Sequence, residues 1–437
     1  MPEGSNQYLG QARQNLLTRD ISGYILPIFI VSSMTLSYQR NLSKITILIG
    51  FLVSVGYLLY FLSGRNRLQP EVIIYSVWVF WCATGAFIAT NQEVFWSRYF
   101  TILQISVMIF VVAGITSARG SINTALVGML LGITIILFQA ISSGDLSLAV
   151  ITQATKRIAG MIRNANIFAY HMLFGVFAIL FFWRERQKWL NSTLIYLALA
   201  LMSAAIVASG SRKNFLAEVF FFNLWIINCY GKQIFRSRFG LIGLLFIVFS
   251  IYYFIDFTLS SSITGERIFA IENEYQHGYG LSKRQKMYEE GFRLIKEHPV
   301  FGVGMNQYIL LAEDVYGYSH SDFIEVMAGS GIFGAIIYYS IFVVLWRRLN
   351  WIGTRIKKQI ITYQIGLMKS SIILIFLLGF GVPYYYFKIT WIYIAAVVGY
   401  SWYLEQKIKK VIHIRRLKQI AETRARVRSK GSHAVLE

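Results

Sequence analysis

Three side chains far apart in the chain are suited to chemistry on an anionic substrate. Arg212 sits in Ala208-Ser209-Gly210-Ser211-Arg212-Lys213-Asn214, Arg284 in a basic polar stretch, and His320 in Tyr318-Ser319-His320-Ser321-Asp322. A guanidinium offers planar, bidentate donors that match phosphate oxygens. An imidazole titrates near neutrality, so it can take a proton from a hydroxyl or donate a hydrogen bond to phosphate. Arg157 and Arg163 add cations just before Asn164 and Asn166. Together they predict a site for an anionic group. Plainer readings stand beside this one: Arg212 snorkels to headgroups, Arg284 pairs with Glu289 and Glu290, His320 is structural, Asp322 and Glu325 cap a helix, and Asn166 caps another.

Other chemistries find less support. No Asp/Glu-rich cluster suggests a divalent-metal cage. Cys82 and Cys229 are the only cysteines, both inside apolar runs, so neither zinc spacing nor a disulfide framework arises. Gly329-Ser330-Gly331-Ile332-Phe333-Gly334 matches G-x-G-x-x-G, but no strand precedes it. Close helix packing through small residues is the better account. No metal and no cofactor are expected.

The elements that must position these residues are membrane spans. Of 437 residues 56% are hydrophobic and only 14% charged, with a mean hydropathy of +0.52. Backbone groups in lipid must be satisfied internally, so helices or closed barrels span membranes. The runs are continuous, not alternating, which predicts an all-α polytopic membrane protein with about twelve transmembrane helices. They fall at roughly 21–38, 44–63, 71–90, 97–116, 121–142, 166–183, 190–209, 214–230, 239–257, 322–346, 365–384 and 388–404. The chain then divides into spans one to nine (1–257), a large helical loop (258–321), spans ten to twelve (322–404) and a basic tail (405–437).

Lys and Arg are the more numerous on the side that holds both termini, which places the termini in the cytoplasm and the long loop outside. Ten Lys or Arg lie between Lys407 and Lys430. The formal net charge of +21 therefore points to anionic lipid beside the membrane and not to nucleic acid. Lys156, Arg157, Arg163, Arg212 and Lys213 fall on the outer side against that bias, as an anionic ligand there would require.

At these residues the chain resembles the O-antigen ligase superfamily, which includes O-antigen and exopolysaccharide polymerases. Arg284, Gly291, Ile295 and His298-Pro299-Val300-Phe301-Gly302-Val303-Gly304 follow its loop pattern. His320-Ser321-Asp322-Phe323-Ile324-Glu325 and the small-residue helix Gly331–Gly334 follow in order. Gly210-Ser211-Arg212-Lys213 resembles its Ser/Thr-Arg motif, and Arg157 to Phe168 its Asn-rich segment. Many members read His-Asn where this chain has His320-Ser321.

The resemblance implies a metal-independent, inverting glycosyltransferase of GT-C-like architecture in a bacterial inner (plasma) membrane, with its active site on the periplasmic side. The donor would be a glycan on undecaprenyl pyrophosphate. Arg212 and Arg284 would hold the pyrophosphate, with Arg157 and Arg163 in support. His320 would activate the acceptor hydroxyl or bind phosphate. A ligase would use lipid A–core as acceptor, a polymerase a lipid-linked glycan; the motifs favour neither, and the family name alone leans to the ligase. A transporter or flippase also suits twelve spans, but it would show internal repeats and polar groups at mid-membrane. Here the polar groups gather at one face.

Overall fold

The computed structural model describes residues 24–36, 42–62, 67–143, 158–183, 189–236, 252, 279–312 and 317–433, with the backbone alone for 189–191, 230–236, 279–284 and 424–433. The regular elements among them are all helices. In chain order they are α1 (Tyr24–Thr35), α2 (Ser43–Tyr60), α3 (Pro70–Cys82), α4 (Gln92–Arg119), α5 (Asn123–Ser142), α6 (Ala165–Phe182) and α7 (Trp189–Ala208). Then come α8 (Arg212–Arg236), α9 (Tyr279–Glu297), the short α10 (Tyr308–Leu311), α11 (Asp322–Gly353), α12 (Gln359–Leu378) and α13 (Lys388–His433). Among the described residues, seven helices are long and apolar enough to cross a membrane: α2, α3 with its 3₁₀ extension to Phe87, α4, α5, α6, α11 and α12. The expected span at 239–257 lies outside the described residues except for Tyr252.

Helix boundaries follow local chemistry. Pro70 opens α3, where its missing N–H costs nothing. Asn91 caps α4 by accepting from Val94 N at 3.1 Å, and Gly120 ends it at φ 65°. Phe51, Leu52, Leu59, Phe80 and Phe138 are each 60–80% exposed, as lipid-facing side chains are. α6 is buried over most of its length and forms the centre of the bundle. Gly399 lets α13 approach the α4 backbone at Ala113, where any Cβ would clash.

The end of α12 differs from the sequence expectation. α12 stops at Leu378, not at 384, because Gly379, Gly381 and Pro383 break it. α13 runs from the last apolar stretch into the basic tail without interruption.

One end of the bundle is locked by buried charge. Arg348 on α11 meets Glu71 of α3 and Glu405 of α13, each at 2.8 Å, with its side chain 4% exposed. Removing the cation would leave the buried Glu71 carboxylate without its partner, beside Glu405, which keeps Lys409 at 2.6 Å. Arg348→Ala is therefore expected to cost about 3–5 kcal/mol, read as a drop in thermal unfolding midpoint in detergent.

Candidate functional site

The opposite end of the bundle is organised by the turn 379–387, Gly-Phe-Gly-Val-Pro-Tyr-Tyr-Tyr-Phe. A helix that ends here leaves carbonyls without intrahelical partners. Three other elements satisfy them. Gly379 O accepts from Asp322 N at 2.7 Å, Phe380 O from the Tyr288 hydroxyl at 2.8 Å, and Gly381 O from Lys213 Nζ at 2.8 Å. The turn thereby fixes α11, α9 and α8 relative to one another. The Asp322 carboxylate completes the joint, accepting from Tyr385 N at 2.7 Å and from the Tyr339 hydroxyl at 2.9 Å.

His320 stands beside that joint with φ 60°, in the left-handed region that a non-glycine residue rarely adopts. Such a backbone costs about 1–3 kcal/mol and persists where its surroundings enforce it. Ser319 N donates to Glu325 Oε1 at 2.7 Å, and Ser319 Oγ donates to Ser321 O at 3.1 Å. Ser319, Ser321 and Glu325 are buried, whereas His320 stays half-exposed with its ring 4.2 Å from that of Tyr318. The expectation that Asp322 and Glu325 serve as caps is thus corrected. Ser321 is the N-cap of α11, its hydroxyl accepting from Ile324 N, while the two carboxylates hold the 385 turn and the Ser319 backbone. The serine that follows the histidine consequently has a structural task.

On the other side of the turn, α6 and α8 present their N-termini together. Asn164, not Asn166, caps α6, accepting from Asn166 N and Ile167 N at 3.0 and 3.2 Å. Asn166 instead bridges the two helices. Its Oδ1 accepts from Ser211 Oγ at 3.0 Å and its carbonyl from Asn214 Nδ2 at 2.9 Å. Ser211 and Asn214 are buried, and half-exposed Arg212 is the first residue of α8. Arg163, also left-handed at φ 57°, is exposed next to the Asn164 cap. Two helix N-termini with cations beside them form a natural anion site. Arg157 lies outside the described residues.

Arg284 belongs to α9, and its side chain lies outside the described part. Its expected pairing with Glu289 and Glu290 therefore falls outside the described residues; among these, Glu290 meets Arg293 at 2.8 Å and Glu289 accepts from Gln285 at 2.9 Å. α9 leads into His298-Pro299, and the glycines that follow have a packing role. α11 is broken at Gly331, with φ 71° and ψ 176°. The loop inserts at the break. Val303 N and Gly304 N donate to Ala328 O and Gly329 O at 2.8 and 3.1 Å, and Ile332 N donates to Pro299 O at 2.8 Å. Trp81 Nε1 takes Ser330 O at 2.8 Å. A Cβ on Gly302 or Gly331 would collide with this backbone. The G-x-G-x-x-G match therefore marks close backbone packing, and its central glycine also interrupts the helix.

Residues overlooked in the sequence complete this end. Arg98 of α4 lays its guanidinium 3.6 Å over the Tyr386 ring and donates from Nη2 to Asn306 Oδ1 at 3.0 Å. The signal was present: a single cation amid Phe95-Trp96-Ser97-Arg98-Tyr99-Phe100, at the start of an apolar run. Among the described residues no group of three or more His, Cys, Asp or Glu is arranged to hold a metal ion.

Residues 197–339 match the family model described as O-Antigen ligase. No curated protein matches the chain. The matched segment contains Arg212, Arg284 and His320, and the bundle around it has the long apolar helices of a multi-pass membrane protein. Over residues 197–339 the chain is therefore similar to the O-antigen ligase family.

Proposed function

We propose that the protein is a membrane glycosyltransferase that moves a glycan from undecaprenyl pyrophosphate to a sugar hydroxyl of lipid A–core at the periplasmic face of the inner membrane. The observation that carries this reading is the arrangement around the turn 379–387. A half-exposed histidine on an enforced left-handed backbone stands on one side, and paired helix N-termini with Arg212 stand on the other.

In the proposed reaction the acceptor oxygen attacks the anomeric carbon as the bond from that carbon to the pyrophosphate oxygen breaks. The configuration at that carbon inverts. The hydroxyl proton passes to His320, and the negative charge stays on the polyprenyl pyrophosphate. Arg212, Arg284, Arg163 and Arg157 stabilise that charge, aided by the α6 and α8 N-termini. Pyrophosphate leaves at low pKa, so it needs little protonation. No metal is required in this scheme. The carboxylates near His320 are buried and committed to Tyr385, Tyr339 and Ser319. The apolar helix walls near this face receive the polyprenyl chain.

The test is reconstitution of purified protein with the lipid-linked glycan, with and without lipid A–core, in the presence of chelator. A lipid A–core band shifted by glycan is the expected product. A ladder growing on the lipid-linked donor without core would assign a polymerase. No product from folded protein would overturn the transferase reading in favour of transport.

A further inference from the structure

Arg98 on α4, Asn306 in the loop, Tyr318 before His320, and Tyr386 in the turn converge from four separate parts of the chain. All four are half-exposed, yet the floor beneath them is buried: Gln307, Ser319, Glu325 and Tyr385 are each 0–4% exposed. That floor is tied down. Gln307 pairs through its side-chain amide with both backbone groups of Asn91, at 2.8 and 3.0 Å, and so anchors the loop to the start of α4. Asn306 itself is left-handed at φ 65°. Asparagine accepts this backbone more readily than other non-glycine residues, and here it aims the side-chain oxygen at Arg98.

From this juxtaposition we infer that Arg98, Asn306, Tyr318 and Tyr386 form the subsite for the acceptor sugar, next to His320 and across the turn from the pyrophosphate cations. The inference rests on the transferase reading above. Charge separates the two sides. Glu325 lies within electrostatic reach of Arg98, so this side is less cationic than the one that gathers Arg212 and Arg163 and suits a hydroxyl-rich ring more than a phosphate. Burial raises the titration points of the Tyr318 and Tyr386 phenols, which keeps both as neutral O–H groups. The Arg98 guanidinium lies 3.6 Å over the Tyr386 ring, with Nη2 on Asn306. Its Nε is buried without a hydrogen-bond partner. Fixed donors, neutral hydroxyls and aromatic faces are the groups that bind sugars. The Tyr318 ring is in contact with His320, so a sugar held here would present a hydroxyl to the imidazole.

The experiment is steady-state kinetics on purified Arg98→Ala, Arg98→Lys and Tyr318→Phe, with lipid-linked glycan as donor and lipid A–core as acceptor, each varied in turn. Arg98→Ala is expected to raise the acceptor KM about 10-fold or more with the donor KM unchanged. Arg98→Lys is expected to lie between it and the wild type. Tyr318→Phe removes one hydroxyl at constant packing, so it reports even where Arg98→Ala fails to fold; an acceptor-specific rise is expected there too. A rise in donor KM alone, or no change in any folded variant, would overturn the acceptor assignment while the transferase reading stands. Wild-type protein that makes no product would overturn the transferase reading, and the acceptor subsite with it.

Discussion

His320→Gly is expected to reduce glycan transfer by about 10²–10⁴-fold, the usual contribution of a positioned general base. The same substitution should leave the unfolding midpoint in detergent nearly unchanged. These two outcomes together are diagnostic. His320 holds φ 60°, a conformation that glycine adopts without penalty. Relief of that strain offsets the added freedom of the unfolded chain, so net stability shifts by less than about 1 kcal/mol. The backbone on either side of it is held by bonds of Ser319, Ser321 and Glu325. A residue kept for packing would show the opposite pattern, losing stability before activity. Retained transfer in the glycine variant would remove His320 from the chemistry.

Arg212→Ala is expected to lower kcat by about 10²–10³-fold, comparable to removing one donor from a preorganised oxyanion site. The side chain is half-exposed at the first position of α8, so the fold should tolerate its loss. The bridge between α6 and α8 belongs to Asn166, Ser211 and Asn214 and persists without it. Arg212→Lys should recover part of the rate: it restores the charge but not the bidentate geometry. Single-turnover kinetics with the lipid-linked donor would read the difference. A normal rate in Arg212→Ala would place the pyrophosphate elsewhere.

Much of this architecture is legible in the sequence. Continuous apolar runs of span length identify the helices, and Arg212, His320 and the His298–Gly304 loop carry the family pattern. What escaped depends on partners distant in the chain. Asn164 and Asn166 both suit a helix start, and only the position of Ser211 shows that one caps while the other bridges. Asp322 reads as a cap until Tyr339 and Tyr385 close around it. The turn 379–387 was hidden by its own composition. Its aromatic residues extend an apolar run, and the two glycines and Pro383 that break the helix are few against them. Arg98 is a lone cation at a helix end, a common feature, until Asn306 and Tyr386 are seen to hold it.

The turn 379–387 also sets an order of events during synthesis. Its bond to Lys213 spans 168 residues, and its bond to Tyr288 spans 92. Chains emerge N-terminus first, so most of the bundle is made before this segment exists. Until it arrives, the starts of α8 and α11 have no common anchor, and Arg98 lacks the Tyr386 ring on which it rests. The half-built protein has the reactive side chains but not their alignment. A nascent chain would therefore be inert toward lipid-linked substrate in the membrane around it, and competence would arrive only when the last helices are seated.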